Sequence, residues 1–304
     1  MTRARDFADL AGSAAAGGIT GRNLIINGAM QVAQRGTSIS PATGAYSFSL
    51  DRWKSYSGSS YTISQQEFAA GQTDAPNIKN YMRIANGAST TSLHQLIEDV
   101  TTVSGTSVTL SFYIKGSSAY TLEIGAYQNF GSGGSATVNT ANLATVAVTT
   151  SWTRVTATFT VPSISGKTVG TSSYLRIDIG TGTYYIPASN TTEITGIQLE
   201  VGETATPFEH RSYGDELARC QRYYRKVDTY SQTYLFTVRS SDDIRRLSHV
   251  FSTMRVNPTA TILDSGEGTV TVQGTGKDSI QFTVSGHSTS SAPYIGSYTL
   301  DSEL

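Results

Sequence analysis

Cysteine is almost missing from this chain, with one, Cys220, in 304 residues. A lone thiol excludes an internal disulfide framework and any cysteine-rich metal site, so stability must come from burial and assembly, and Cys220 is expected to fill apolar space. Charge is scarce as well. Only 15% of residues are charged, and 22 Lys and Arg against 23 Asp and Glu leave a net charge of −1, too little to steer nucleic acid or anionic lipid. No apolar run approaches the ~18 residues of a membrane span, and the N-terminus lacks the basic-then-apolar pattern of a secretory signal, so cytoplasmic synthesis without membrane insertion is expected. The four histidines, His94, His210, His249 and His287, are scattered. None stands in the spacing of a metal motif or a nucleophile elbow, and solvated or locally hydrogen-bonded roles are expected for them.

What the chain does have is Gly, Ser, Thr and Tyr, including 29 Gly and 17 Tyr, the composition of strands and turns. The class expected is mainly β, with room for two β-domains and an arm. Residues 1–22 read as an N-terminal attachment arm, extended or helical. Ala11 to Gly18 is nearly all Ala, Gly and Ser, and Phe7 and Leu10 fall on one side of a short helical turn suited to docking. From 23 to 212 the pattern has period two. Val108, Leu110, Phe112 and Ile114 alternate with Thr109, Ser111, Tyr113 and Lys115, and Leu175, Ile177 and Ile179 alternate with Tyr174, Arg176 and Asp178. Strands with one dry and one wet face predict a two-sheet β-sandwich. Residues 213–227 change to a helical period, with Asp215 as cap and Arg222, Arg225 and Lys226 near the C-terminal end. Leu217, Cys220, Gln221 and Tyr224 then form a stripe for a β-face or for an oligomer contact. Residues 228–304 read as a small C-terminal β-domain, with strands over Tyr230–Arg239, His249–Leu263, Thr269–Val272 and Ser279–Val284. So short a segment is expected to gain stability from oligomerisation.

Two stretches carry a resemblance. Leu199-Glu-Val-Gly-Glu-Thr-Ala-Thr-Pro-Phe-Glu-His-Arg-Ser-Tyr-Gly-Asp-Glu-Leu-Ala-Arg-Cys-Gln-Arg-Tyr-Tyr224 resembles a junction in tail-fibre and related virion structural proteins of tailed bacteriophages. Asn23-Leu-Ile-Ile-Asn-Gly-Ala-Met-Gln-Val-Ala-Gln-Arg-Gly-Thr37 with Asp51-Arg-Trp53 resembles the opening strand of the same family. Met254-Arg-Val-Asn-Pro-Thr259 and Tyr298 to Leu304 resemble the region after the helix in that family. The resemblance implies a jelly-roll of carbohydrate-binding-module type, a homotrimer, contact with other virion proteins through the arm, and a place on the virion, at a tail fibre or the capsid surface. It also implies structural roles for Trp53 and Trp152. Relatives of such modules often hold calcium, but the matching opening, Asn27 to Met30, has no acidic residue, and Thr195-Gly196 stands where an aspartate is common. No metal and no cofactor are therefore expected.

Sugar binding needs aromatic rings for the C–H faces of pyranoses, with amides and carboxylates beside them for the hydroxyls. Tyr113, Glu123, Tyr127, Tyr174, Arg176 and Asp178 have that composition on the polar sides of strands, and Tyr184 and Tyr185 adjoin a Gly-rich loop. These eight are the glycan-binding candidates, although consecutive jelly-roll strands often change sheets and the eight need not share one surface. The same face could equally be a subunit contact. The function expected is adhesion to a host surface glycan without catalysis. Two alternatives stand beside it. One is a capsid or tail decoration protein with a purely architectural role. The other is a polysaccharide-degrading enzyme, which would need two carboxylates about 5 to 9.5 Å apart, drawn from Glu193, Glu200, Glu203 and Glu209.

Overall fold

The alternation read from the sequence becomes two stacked sheets. The computed structural model describes residues 21–228, 245–265, 269–285 and 295–304, and divides into two units, residues 1–216 and 217–304. Phe7 and Leu10 lie outside the described residues, as does the rest of the expected arm apart from its last two residues.

The first unit runs β1 (Ser38–Ile39), β2 (Ser47–Phe48), β3 (Lys54–Ser57), β4 (Tyr61–Glu67), β5 (Asn80–Asn86), β6 (Thr91–Ile97), β7 (Ser107–Gly116), β8 (Tyr120–Asn129), β9 (Val138–Val148), β10 (Thr153–Thr160), β11 (Tyr174–Ile179) and β12 (Thr191–Val201). Sheet one has the order β1-β4-β5-β12-β7-β10 and sheet two the order β2-β3-β6-β11-β8-β9, all antiparallel. The protein is mainly β, a sandwich of jelly-roll type. Val108, Leu110, Phe112 and Ile114 of sheet one and Leu122, Ile124, Leu175, Ile177 and Ile179 of sheet two enter one core, each large side chain contributing about 1.5–3 kcal/mol by leaving water.

Part of one expected wet face is dry. Thr109 and Ser111 on β7 are buried on the side away from the core, because residues 202–211 fold back over that end of sheet one. Thr109 Oγ1 donates to the Gly202 carbonyl at 2.8 Å, and Arg154 donates to Ser111 Oγ at 3.1 Å and to the Thr206 carbonyl.

The two family-like stretches turn out to be each other's partners. Asn23 Nδ2 donates to the Ile197 carbonyl and Asn23 Oδ1 accepts from the Leu199 amide, while Glu209 accepts from the amides of Gly21 and Asn23. Arg211 donates to the carbonyls of Asn23 and Ile25, and the Asn27 amide donates to Glu216 at 2.5 Å. Asn27 also bonds Val32 and the Asp51 carbonyl, and its own carbonyl accepts from Trp53 Nε1 at 3.0 Å. Gly28 has to be glycine, since a Cβ there would lie 2.1 Å from the Ile197 carbonyl oxygen. Buried backbone groups at the entry to the sandwich are thus satisfied by side chains from its exit. Trp53 is fully buried and structural.

The helix, α1 (Tyr213–Gln221), is shorter than the 213–227 expected. Asp215 is not its cap. Ser212 is: its Oγ accepts from the Asp215 amide, at the third helical position, at 3.1 Å and donates to the Asp215 carboxylate at 2.7 Å. After Gln221 the chain becomes β13 (Tyr224–Asp228), whose pairing with a later strand overrides helical propensity. Arg222, Arg225 and Lys226 therefore do not sit in the helix, and only Arg219 occupies its last turn. Of the proposed oligomer stripe, Cys220 and Tyr224 are already buried within one chain, which withdraws them from a subunit contact, whereas Leu217 and Gln221 keep partial exposure.

The second unit continues with β14 (Arg245–Val250), β15 (Thr259–Ser265), β16 (Thr269–Thr275), β17 (Ser279–Ser285) and β18 (Ile295–Asp301), in three-stranded sheets β13-β18-β15 and β14-β17-β16. Phe251, Met254, Ile280, Phe282, Ile295, Tyr298 and Leu300 form its core. The single strand expected over His249–Leu263 is two strands. Phe251 and Met254 turn the chain by donating to the carbonyls of Asp278 and Lys277, and Pro258, which has no N–H for a ladder, precedes β15. The strand expected over Tyr230–Arg239 lies outside the described residues.

Candidate functional site

Sheet two carries a polar cleft on its outer face. Its outer face is assembled by register: Lys54 of β3 stands opposite His94 of β6, His94 opposite Asp178 of β11, and Asp178 opposite Gly125 of β8. One pair along, Tyr56 faces Ser92 and Arg176 faces Tyr127, and Tyr174 faces Asn129. Tyr46, Tyr56, Ser92, His94, Arg176 and Tyr185 line a cleft of about 460 Å³.

Its floor is a fixed polar chain. Arg176 donates to both oxygens of Asp178, at 2.6 and 2.9 Å. His94 Nδ1 lies 2.5 Å from Asp178 Oδ1, and Ser92 Oγ lies 2.8 Å from His94 Nε2. An ionised carboxylate only accepts, so Nδ1 carries the imidazole proton and Nε2 accepts from the serine hydroxyl. Burial lowers the His94 pKa, with Arg176 and Lys54 adding to it against the pull of Asp178, so the ring is neutral. Burial alone would raise Asp178, but hydrogen bonds and charge from His94 and Arg176 outweigh it and hold the carboxyl below its ordinary value.

Over this floor stand rings. The Arg176 guanidinium lies 4.5 Å from the Tyr127 ring centre and 5.4 Å from that of Tyr46. Tyr46 lies 5.1 Å from Tyr56 and 5.2 Å from His94, and Tyr127 stacks at 6.4 Å on Tyr174. Tyr46 and Tyr56 are 50% and 37% exposed, leaving ring faces to solvent.

Both shifts make the fold acid-sensitive in the same direction. Below about pH 6.5 the unfolded chain protonates a histidine that the folded site keeps neutral, and below about 3.8 it protonates an aspartate that the fold keeps charged. Stability is therefore expected to fall as pH drops from 6.5. The measurement is the urea midpoint across this range, with His94→Gln flattening the upper part of the decline relative to wild type.

Five sequence-predicted residues meet on this face: Glu123, Tyr127, Tyr174, Arg176 and Asp178. Asp178 is buried beneath Arg176, where it positions the guanidinium. Glu123 is buried too. It accepts from the Thr183 amide at 3.2 Å beneath the 180–185 turn, where any Cβ on Gly182 would strike its carboxylate. Tyr184 and Tyr185 are exposed on that turn, and Tyr185 borders the cleft. Tyr113 belongs elsewhere, on β7 of sheet one, packed by Ala29, Ala75 and Ile78. Sequence reasoning missed Tyr46, Tyr56, Ser92 and His94. On β3 the inward residues are Ser55 and Ser57, so the apolar side of that strand gives no signal. Among the described residues no group of three or more His, Cys, Asp or Glu is placed to hold a metal ion.

Residues 43–173 match the family model of a carbohydrate binding domain. The carbohydrate-binding match takes in Tyr46, Tyr56, Ser92, His94 and Tyr127, and stops one residue before β11. Solved structures similar to the chain include the CBM22-1 xylan-binding domain from Paenibacillus barcinonensis, at 16% identity over 55% of this chain and 95% of that one with a TM-score of 0.34. A family 11 carbohydrate-binding module from Clostridium thermocellum, in complex with a β-1,3-1,4-mixed-linked tetrasaccharide, is 14% identical over 57% and 98%, with a TM-score of 0.32. The enzymatically active domain of tailspike protein 4 of bacteriophage CBA120 is 11% identical over 60% of this chain and 22% of that one, with a TM-score of 0.35. No curated protein matches the chain in sequence.

Proposed function

We propose that this chain is a bacteriophage virion structural protein, a tail fibre or related receptor-binding appendage, that adheres to host surface glycan through the outer face of sheet two. The observation that carries the reading is the cleft itself, whose residues on β3, β6 and β8 lie in the stretch matching a carbohydrate binding domain, while Arg176, Asp178 and Tyr185 lie beyond its end. Open tyrosine faces stand beside an Arg176 whose charge is balanced by Asp178. Stacking on rings and hydrogen bonding to an arginine held rigid by a buried carboxylate suit a neutral sugar chain. The virion part is supported by the two stretches bracketing the sandwich, one resembling a junction and the other the opening strand of phage tail-fibre and related virion proteins. A homotrimer, and docking through residues 1–22 with Phe7 and Leu10, belong to the same proposal.

A glycan array probed with multimerised protein tests it. Binding to neutral host-surface oligosaccharides is expected, with a loss of about two- to tenfold on Tyr46→Ala, since one stacking ring contributes about 0.5–1.5 kcal/mol. Absence of binding at every density would leave the decoration role as the better account, and absence of the polypeptide from purified particles would remove the virion part.

The line Ser92–His94–Asp178 favours a second reading, acyl transfer, because a hydroxyl, an imidazole and a carboxylate follow one another at hydrogen-bond distance. Arg176 argues against it. Its guanidinium takes both Asp178 oxygens and disfavours the imidazolium that a general base must become. Ester substrates are accordingly expected to show no turnover that depends on Ser92.

A further inference from the structure

The outer face of sheet one is built differently from that of sheet two. Arg83 of β5, Glu193 of β12 and Lys115 of β7 lie in one row across three neighbouring strands. Glu193 is almost wholly buried, with its side chain 7% exposed, and both cations lean on it. Arg83 reaches Oε1 at 2.7 Å and Lys115 reaches Oε2 at 2.8 Å, with 40% and 35% of their side chains still exposed. Two half-exposed cations share one buried carboxylate, so the row presents one positive charge in excess.

Aromatic rings adjoin that row. Phe68, Tyr81 and Trp152 are mutually in contact, at 4.7, 5.2 and 5.5 Å between ring centres. The Lys115 ammonium lies 5.4 Å from the Trp152 centre and the Arg83 guanidinium 5.9 Å from that of Tyr81. All three rings are half-buried. Trp152, expected from the family resemblance to be structural, is packed in this ring cluster. A further ion pair of this sheet's end, Lys79 with Glu67 at 3.2 Å, is exposed and self-balanced.

We propose that this face is a second ligand surface of the sandwich, one that takes hexuronate-bearing oligosaccharides. The sugar's C–H face would stack on the Trp152 and Tyr81 edge, and its carboxylate would receive charge-assisted hydrogen bonds from Arg83 and Lys115. The two faces then sort glycans by charge: sheet two, with Arg176 neutralised by Asp178, takes neutral chains, and sheet one takes acidic ones. The inference stands on residues separate from the adhesion cleft, so either surface can fail without the other.

The test is calorimetric titration of the full chain with tetragalacturonate, with its methyl ester as the neutral counterpart. Binding of the acid is expected, at least about tenfold weaker for the ester, because a carboxylate–cation contact is lost. Lys115→Met and Trp152→Ala should each weaken binding by about tenfold in protein that circular dichroism shows to be folded at the titration temperature, while Arg176→Ala, folded by the same criterion, leaves it intact. Glu193→Gln should strengthen binding, since it releases both cations to the ligand; a merely structural ion pair would give no such gain. Failure of the acid to bind, equal affinity for acid and ester, or weaker binding after Glu193→Gln overturns the proposal. So does tighter binding of a single-stranded oligonucleotide through the same residues, which would make phosphate rather than uronate the ligand.

Discussion

Asp178→Ala is expected to lower stability by about 3–5 kcal/mol and to abolish neutral-glycan binding, because it strips the partner from a mostly buried guanidinium and from the His94 N–H at once. Arg176 would then turn away from the sheet or carry an unbalanced charge into the cleft, and Tyr127 and Tyr46 would lose the group between them. Asp178→Asn keeps the shape and one acceptor, so a smaller loss is expected. Urea denaturation at neutral pH and titration with an array-selected oligosaccharide measure the two effects. A deficit under about 1 kcal/mol would place the network among surface ion pairs of little weight, contrary to its burial.

Arg211→Ala is expected to cost a similar amount, about 3–5 kcal/mol, without touching either sheet face. Its side chain is 6% exposed and lies between the carboxylates of Glu209 and Glu216 while donating to the carbonyls of Asn23 and Ile25. Removing it leaves two buried carboxylates and two carbonyls short of a donor. Arg211→Lys should recover only part of the loss, since an ammonium cannot fork as a guanidinium does. The deficit carries its own pH signature. Burial raises the Glu209 pKa, but bonds from the amides of Asn23 and Gly21 and the Arg211 charge hold it below the ordinary 4.5. That stabilisation is present above 4.5 and lost as pH falls through the folded value, so the gap between wild type and variant should narrow in acid. Glycan affinity of the refolded variant should be unchanged, which separates this lock from the binding face.

Much of the sandwich was legible because β7, β10 and β11 alternate strictly, and a strict period two allows one burial pattern. Glu123, Tyr127, Tyr174, Arg176 and Asp178 were legible together for the same reason, since they occupy the polar positions of two strands that proved adjacent. Tyr46 and Tyr56 were not. Their neighbours facing the core are serines, and Tyr46 lies outside any strand. The Ser92–His94–Asp178 chain was invisible for a different reason: Ser-x-His is common in strands, and its carboxylate is supplied from 84 residues away by register alone. The helix was overextended because Tyr224 to Asp228 has acceptable helical propensity, and only pairing with Ile295–Asp301 decides against it. Tyr113 had the right chemistry on the wrong sheet, an assignment that needs the strand order.

The cleft on sheet two as the glycan-contacting surface is tested most directly by NMR titration of tyrosine-labelled protein with a neutral oligosaccharide selected on the array. The account predicts saturable shifts at Tyr46, Tyr56, Tyr127, Tyr174 and Tyr185, with Tyr81 and Tyr113 unmoved. Shifts confined to Tyr81 and Tyr113, or none at saturating sugar, would contradict it.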